Sequence, residues 1–106
     1  MDKLRENIET ILYEEVQSYV TSAYKGKLYF NISEDESLYS VIFVPDENYP
    51  VKAETDIVIA ARIINGYVSI EKDTTDKPLY KELIRRGVLR ENIILKYAGE
   101  KLEHIQ

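Results

Sequence analysis

The dipeptide Asn65-Gly66 is the feature that most constrains how this chain can fold. It separates a nearly continuous apolar run, residues 55–64, from a run that alternates in polarity from Tyr67 onward. Asn and Gly both tolerate the positive φ angles of a type I′ turn, so the pair predicts a tight β-hairpin. The apolar run is typical of a central strand buried on both faces. In its partner, Tyr67, Ser69 and Glu71 share one side, which predicts one covered face and one wetter face.

Three further runs have the composition of strands. Residues 27–33 are rich in aromatic and β-branched side chains, and residues 38–45 end at Pro45, which has no N–H for a sheet ladder. The short acidic turn between these two runs predicts an antiparallel hairpin. A polar loop containing Tyr49-Pro50 follows, in which Tyr49 is expected to be extended. Near the end of the chain, residues 93–97 predict a short last strand.

Apolar residues in the first 21 positions recur at spacings of three and four, which places them on one face of a helix. This stripe comprises Leu4, Ile8, Ile11, Leu12, Val16, Tyr19 and Val20. Charged side chains between them form a face for solvent, and Asp2 suits the positive end of a helix. The pattern predicts a helix over residues 2–21 that packs on the sheet.

A second helix is indicated after the hairpin by signals at both of its ends. Asp76 is placed to cap the first turn, and Pro78 falls where a missing N–H costs little. Leu79, Leu83 and Ile84 form an apolar stripe. Glu82 is expected to pair with Arg86 four residues on, and Gly87 provides a left-handed stop.

These elements predict an α+β fold in which an antiparallel β-sheet carries an N-terminal helix and a second helix packed on it. The length of 106 residues suits a single domain over residues 1–106. We expect a cytoplasmic protein that does not associate with membranes. The reasons are an N-terminus too charged for a signal peptide and the lack of an apolar run of about 18 residues.

The residue types exclude several kinds of chemistry. The chain has no cysteine, which rules out disulfides, thiolate zinc sites and thiol nucleophiles. Its one histidine, His104, stands near the end, where side chains are usually solvated. Asp73 and Asp76 are explained by turn and cap roles, and adjacent acids such as 34–36 diverge rather than form an acid/base pair. The glycines are scattered and form no phosphate cradle, so the sequence predicts neither enzyme nor cofactor.

Residues 57–97 resemble the XisI-like family, which is named after a controlling factor for excision of the cyanobacterial fdxN DNA element. The segments that carry the resemblance are Gly66-Tyr67-Val68-Ser69-Ile70-Glu71, Asp73-Thr74-Thr75-Asp76, Glu82-Leu83, Gly87-Val88 and Arg90-Glu91-Asn92-Ile93-Ile94-Leu95. Each is a common pattern, and their order and spacing make the resemblance specific. Val68 and Leu89 depart from the family pattern, as does the C-terminal stretch after Tyr97.

The resemblance implies a non-catalytic accessory protein that acts through protein–protein interaction with a nuclease-like, XisH-type partner or with recombination machinery. A homodimer is also expected, through an exposed strand edge or the first helix. The residues expected to contact a partner are Tyr67, Ser69, Glu71, Asp73, Arg86 and Arg90.

Two alternatives stay open from the residues alone. One is a small nucleic-acid-processing enzyme, which would need carboxylates brought together by the fold. The other is direct DNA binding through Arg85, Arg86 and Arg90. The net charge of −5 disfavours the second, because affinity for nucleic acids rests on neutralising phosphates.

Overall fold

A computed structural model describes residues 7–47 and 53–101 of the chain. Its helices are α1 (Ile8–Gln17) and α2 (Leu79–Arg85). Its strands are β1 (Gly26–Ile32), β2 (Leu38–Pro45), β3 (Asp56–Ile64), β4 (Tyr67–Asp73) and β5 (Ile93–Leu95). The strands form one sheet in the order β1-β2-β3-β4-β5. The predicted α+β class is confirmed.

The sheet departs from the prediction at its last strand, because β5 runs parallel to β4 whereas β1 to β4 are antiparallel. Helix α2 lies between β4 and β5 in the chain and forms the crossover connection between them. The chain therefore returns to the sheet in the same direction as β4. The strand is also shorter than the predicted 93–97, since Lys96–Ala98 form a 3-10 turn.

The hairpin predicted at Asn65-Gly66 is confirmed. Asn65 has φ 49° and Gly66 has φ 82°, so both central residues of the turn are in the left-handed region. Each of the pairs β2–β3 and β3–β4 contains one irregularity, after Val41 in the first and after Ala60 in the second. Such bulges increase the twist of a sheet and re-aim the side chains beside them.

Both helices cover the same face of the sheet, and the core lies between them and the strands. The helices contribute Ile11, Leu12, Val16, Leu79 and Leu83 to this core, and the strands contribute Tyr39, Val41, Ile59, Ala61, Val68, Ile70, Ile93 and Leu95. These strand residues share one side because side chains alternate along a strand. The alternation of sides predicted for β4 is thus confirmed, but Ser69, on the side predicted to be wetter, is buried.

Helix α1 is shorter than the predicted 2–21. Asn7 is extended, and its side-chain oxygen accepts a hydrogen bond from the amide of Thr10 at 2.8 Å, which caps the helix. The helix ends after Gln17, and the amides of Tyr19 and Val20 bond back to carbonyls three residues earlier. The predicted contributions of Asp2 and Leu4 fall outside the described residues.

Helix α2 is capped by a different residue from the one predicted. Asp73, not Asp76, accepts the amide of Leu79 at 2.8 Å, while its other carboxylate oxygen accepts the amide and hydroxyl of Thr75. Pro78 occupies the cap position itself and has no side chain that can bond an amide. Asp73 succeeds because it ends β4 with its side chain on the helix-covered side. The predicted stop at Gly87 is confirmed by its φ of 102°.

None of the helices in the described ranges is long and apolar enough to cross a membrane. The predictions for Tyr49-Pro50 and His104 concern residues outside those ranges.

Candidate protein-binding surface

The face of the sheet opposite the two helices is called the open face here. Both helices lie on the core side, α1 against β2 and β3 and α2 against β4, so neither covers it. The strand registers place five groups of side chains on this face. These are Lys27, Tyr29 and Asn31 of β1, Leu38, Ser40, Ile42 and Val44 of β2, Ile57, Ala60, Arg62 and Ile64 of β3, Tyr67, Ser69, Glu71 and Lys72 of β4, and Ile94 of β5.

One end of the open face is apolar. Tyr29, Ile42 and Ile57 are directly paired across three neighbouring strands, so they form a continuous row. Tyr29 is 48% exposed and Ile57 is 42% exposed, and Val44 beside them is also exposed. We call this the apolar row. Large apolar side chains that are contiguous and exposed on one face are typical of protein–protein interaction sites.

The other end of the open face is a charged network. The Nε atom of Arg62 lies 3.0 Å from a carboxylate oxygen of Glu71, and the hydroxyl of Ser69 donates to the same oxygen at 2.9 Å. Lys96 lies 3.5 Å from the second oxygen of Glu71. This network holds the charged side chains in place beside the apolar row.

Glu71 is ionised at neutral pH despite its partial burial. Burial alone pushes the pKa of Glu71 up, but hydrogen bonds from Ser69 and Arg62, with the charges of Arg62 and Lys96, outweigh it. The pKa of Glu71 is therefore below its ordinary value of 4.5. Its role is to anchor two cations rather than to exchange a proton near neutral pH.

Three of the six residues expected to contact a partner lie together on the open face. Tyr67 and Glu71 are partly accessible there, whereas Ser69 is fully buried under its neighbours. Ser69 therefore orients Glu71 from below, and Tyr67 and Glu71 are the two members of the group that a partner can reach.

The other three expected residues lie elsewhere. Asp73 is occupied by the cap of α2. Arg86 bridges the helices, with one nitrogen 2.7 Å from Glu15 and the other 2.9 Å from Glu14. The predicted pairing of Glu82 with Arg86 is not what forms, since Glu82 pairs with Arg85 instead.

Arg90 is the remaining member of that group. It donates to the carbonyl of Ile93 at 2.8 Å, pairs with Glu100, and lies over the ring of Tyr80 at 5.7 Å. A cleft of about 460 Å³ beside it is lined by Arg90, Glu91, Ile93, Ile94, Gly99, Glu100 and Lys101. Glu100 also accepts a hydrogen bond from the amide of Leu95, so the carboxylate of Glu100 is bound by residues that line the cleft or lie next to it.

The apolar row was not anticipated from the sequence. The unbroken apolar run of β3 predicted burial on both faces, but burial holds only for its middle, Ile59 to Ala61, and Ile57 is open to solvent. A signal does exist in β1, where Tyr29 lies in phase with Lys27 and Asn31, the solvent-facing residues of that strand. To infer that Ile42 and Ile57 lie on the same face as Tyr29, one needs the register of the three strands, which cannot be read from the sequence.

The described residues contain no group of three or more His, Asp or Glu side chains that could hold a metal ion. Nor does a buried side-chain nitrogen or oxygen among them lack a hydrogen-bond partner.

The sequence model of the XisI protein family matches residues 1–106, the whole chain. The chain belongs to the XisI protein family. The resemblance seen in residues 57–97 is thus confirmed. Proteins with curated descriptions gave no match to this sequence.

Two solved structures from Anabaena variabilis have the same fold as this XisI family member. A XisI-like protein has a TM-score of 0.71 at 20% identity, over 82% of this chain and 81% of that one. The protein described as the fdxN element excision controlling factor XisI has a TM-score of 0.66 at 19% identity, over 92% of this chain and 94% of that one. At these identities the similarity establishes the fold.

Proposed function

We propose that this XisI family member is a non-catalytic accessory protein that regulates DNA excision by binding a protein partner through its open face. The observation that carries the proposal is the apolar row Tyr29–Ile42–Ile57 on a sheet face that neither helix covers, in which Tyr29 and Ile57 are exposed and Ile42 is half-buried. The process is taken from the family, in which one structural relative is described as an excision controlling factor.

The chemistry of the open face suits a protein partner. An apolar patch rimmed by polar groups is the usual anatomy of a protein interface, in which apolar contact supplies affinity and the charged rim supplies register. Here the rim is the network of Arg62, Glu71 and Lys96, with the pair Lys72–Asp56 at 3.1 Å close by. The expected partner is the nuclease-like, XisH-type protein that the family resemblance implies.

The arginines considered for direct DNA binding support this choice, because each is paired with a carboxylate. Arg85 pairs with Glu82, and Arg90 pairs with Glu100. Arg86 pairs with Glu14 and Glu15. Phosphate binding would have to compete with these ion pairs on a chain whose net charge is −5.

Co-purification with an XisH-type protein, using two matched variants, tests the proposal. Ile57→Lys places a charge in the apolar row, and Ile84→Lys places the same charge on α2, where the isoleucine is 40% exposed against 42% for Ile57. We expect the wild type and Ile84→Lys to retain the partner, and Ile57→Lys to lose it with its cooperative unfolding transition intact.

Equal retention of the partner by both variants would show that the partner does not bind through the apolar row of the open face. Complete lack of complex with wild-type protein at micromolar concentration would remove the partner itself. A mobility shift of DNA by the chain alone, weakening steeply with salt, would favour direct DNA binding instead.

A further inference from the structure

Within the part of the chain that the structure describes, no strand pairs with the outer edge of β1, which is the longer of the two edges of the sheet. The amide of Ser33 donates to the carbonyl of Leu38, and the amide of Asp46 donates to the carbonyl of Lys25, at the two ends of the β1–β2 ladder. The register between these ends has no shift. Because hydrogen-bonded and non-hydrogen-bonded pairs alternate in an antiparallel ladder, every second residue of β1 directs its N–H and C=O away from β2.

This alternation gives outward backbone groups to four residues of β1, which are Gly26, Leu28, Phe30 and Ile32. Gly26 forms a bridge with Ala23, so one end of the edge is already occupied. No residue in the ranges 7–47 and 53–101 bonds the outward N–H and C=O groups of Leu28, Phe30 and Ile32, which form a run along the edge. Proteins usually protect such an edge with proline, a bulge or a covering segment, and β1 contains neither proline nor bulge.

The charges at the two ends of this edge are opposite in sign, so the edge is complementary to an antiparallel copy of itself. Lys25 and Lys27 lie at its start, and the acidic turn 34–36 follows its end. No ion pair between residues in the ranges 7–47 and 53–101 involves these side chains. An antiparallel copy of β1 sets the lysines of each chain beside the acids of the other, whereas a parallel copy sets like charges together.

We propose that the chain forms a twofold homodimer in which the two β1 edges pair antiparallel and join the two sheets into one. A twofold axis at Phe30 pairs Phe30 with its equivalent, and Leu28 with Ile32 of the second copy. This is the register that uses all three free residues, with about six N–H···O=C bonds, two for each pair. It also brings Lys25 opposite Asp35 at both ends.

Apolar contact adds to this pairing. Phe30 packs edge-to-face on Tyr13 of α1, with ring centroids 5.1 Å apart. Tyr13 and Ile32 are exposed along the edge, on its helix side, and a second β1 covers them. Self-pairing stops at two copies, because the opposite edge strand, β5, has three residues and runs into a 3-10 turn.

Mass measurements on charge-reversed variants test this dimer. Lys25→Glu with Lys27→Glu puts two new acids beside the three acids of the 34–36 turn at each end, and Glu34→Lys with Glu36→Lys puts bases beside the lysines. We expect the wild type to be dimeric by light scattering and sedimentation at tens of micromolar. Each double variant should raise the dimer Kd at least about tenfold, while the thermal midpoint of unfolding, measured at low protein concentration, stays close to that of the wild type.

Mixing the two double variants in equal amounts provides the decisive comparison. In the mixed dimer both ends again carry opposite charges, so the mass should return to that of a dimer. Ile32→Pro supplies an independent check, because it removes an outward N–H that β2 does not use, and it should weaken the dimer without unfolding the chain.

A monomeric wild type at 100 micromolar would overturn the proposal, as would a dimer that neither charge reversal nor Ile32→Pro weakens. Failure of the mixed variants to recover the dimer would overturn the antiparallel arrangement. These outcomes are separate from those at Ile57, which lies on β3, two strands away from the edge.

Discussion

Asp73 supports the turn that leads from β4 into α2. Its carboxylate accepts hydrogen bonds from the amide of Leu79 and from the amide and hydroxyl of Thr75, so removing it takes the acceptor away from the first amide of α2 and from the turn before it. We expect Asp73→Ala to lower the free energy of unfolding by about 1–2 kcal/mol, the usual cost of losing a cap. Asp76→Ala, at the exposed position that the sequence favoured, should change it by less than about 0.5 kcal/mol. Urea unfolding compares the two, and equal losses would contradict the assignment.

Glu71 makes stability depend on pH in a definite direction. Its folded pKa is below the 4.5 of the free side chain, so in acid the unfolded state takes up its proton first. The stabilisation is present above about pH 5 and is lost as the pH falls through the folded pKa. Glu71→Gln should therefore reduce the loss of unfolding free energy as the pH is lowered from about 5 through the folded pKa of Glu71. Denaturant titrations at several pH values measure this, and an unchanged slope would contradict it.

At the scale of elements, Arg86 joins α1 to α2. It contacts Glu14 and Glu15, and Glu15 is a buried carboxylate that the helix pattern alone places on the solvent face. Arg86→Ala leaves Glu15 buried without its cation, at an expected cost of about 1–3 kcal/mol in unfolding free energy. Its neighbour Arg85 is the matched control, because its side chain is 67% exposed against 22% for Arg86. Arg85→Ala should cost less than about 0.5 kcal/mol in the same measurement.

The elements that the sequence predicted well are those whose signals are local. Asn65-Gly66 needs two positive φ angles, and the turn therefore follows from residue type wherever the flanks are strands. The prediction of the residue that caps α2 was wrong because two aspartates precede the helix. Asp73 caps the helix because it lies at the end of β4, close to the first turn of α2. The parallel direction of β5 likewise depends on how α2 packs, which local periodicity does not encode.

The candidate surface was only partly predictable for a related reason. Tyr67 and Glu71 could be assigned to one side of β4 from the sequence because this strand alternates clearly in polarity, and their contact with a partner stays a prediction. Ile57 was missed because an apolar run gives no phase, and the exposure of its end depends on the bulge and on where the helices stop. Which side chains adjoin on a face made of three strands depends on the strand register. The apolar row is therefore visible only once the strands are aligned in the structure.

At the scale of the whole molecule, the fold divides its two faces between stability and contact. The helices bury the core on one side, and the open face keeps the apolar row accessible beside a fixed charged network. In the two proposals, a second copy bonds the backbone edge of β1, whereas the partner contacts side chains of the open face. Tyr29 on β1 is the residue where these two surfaces meet.

Oxidative footprinting of tyrosines with and without the XisH-type partner tests the central claim most directly. Tyr29 lies in the apolar row, whereas Tyr97, exposed to a similar extent, lies on the helix side near Asp73, Tyr80 and Arg90. We expect the partner to slow labelling of Tyr29 several-fold and to leave Tyr97 unchanged. Protection of Tyr97 with Tyr29 still fully labelled would place the partner on the helical face and contradict the account.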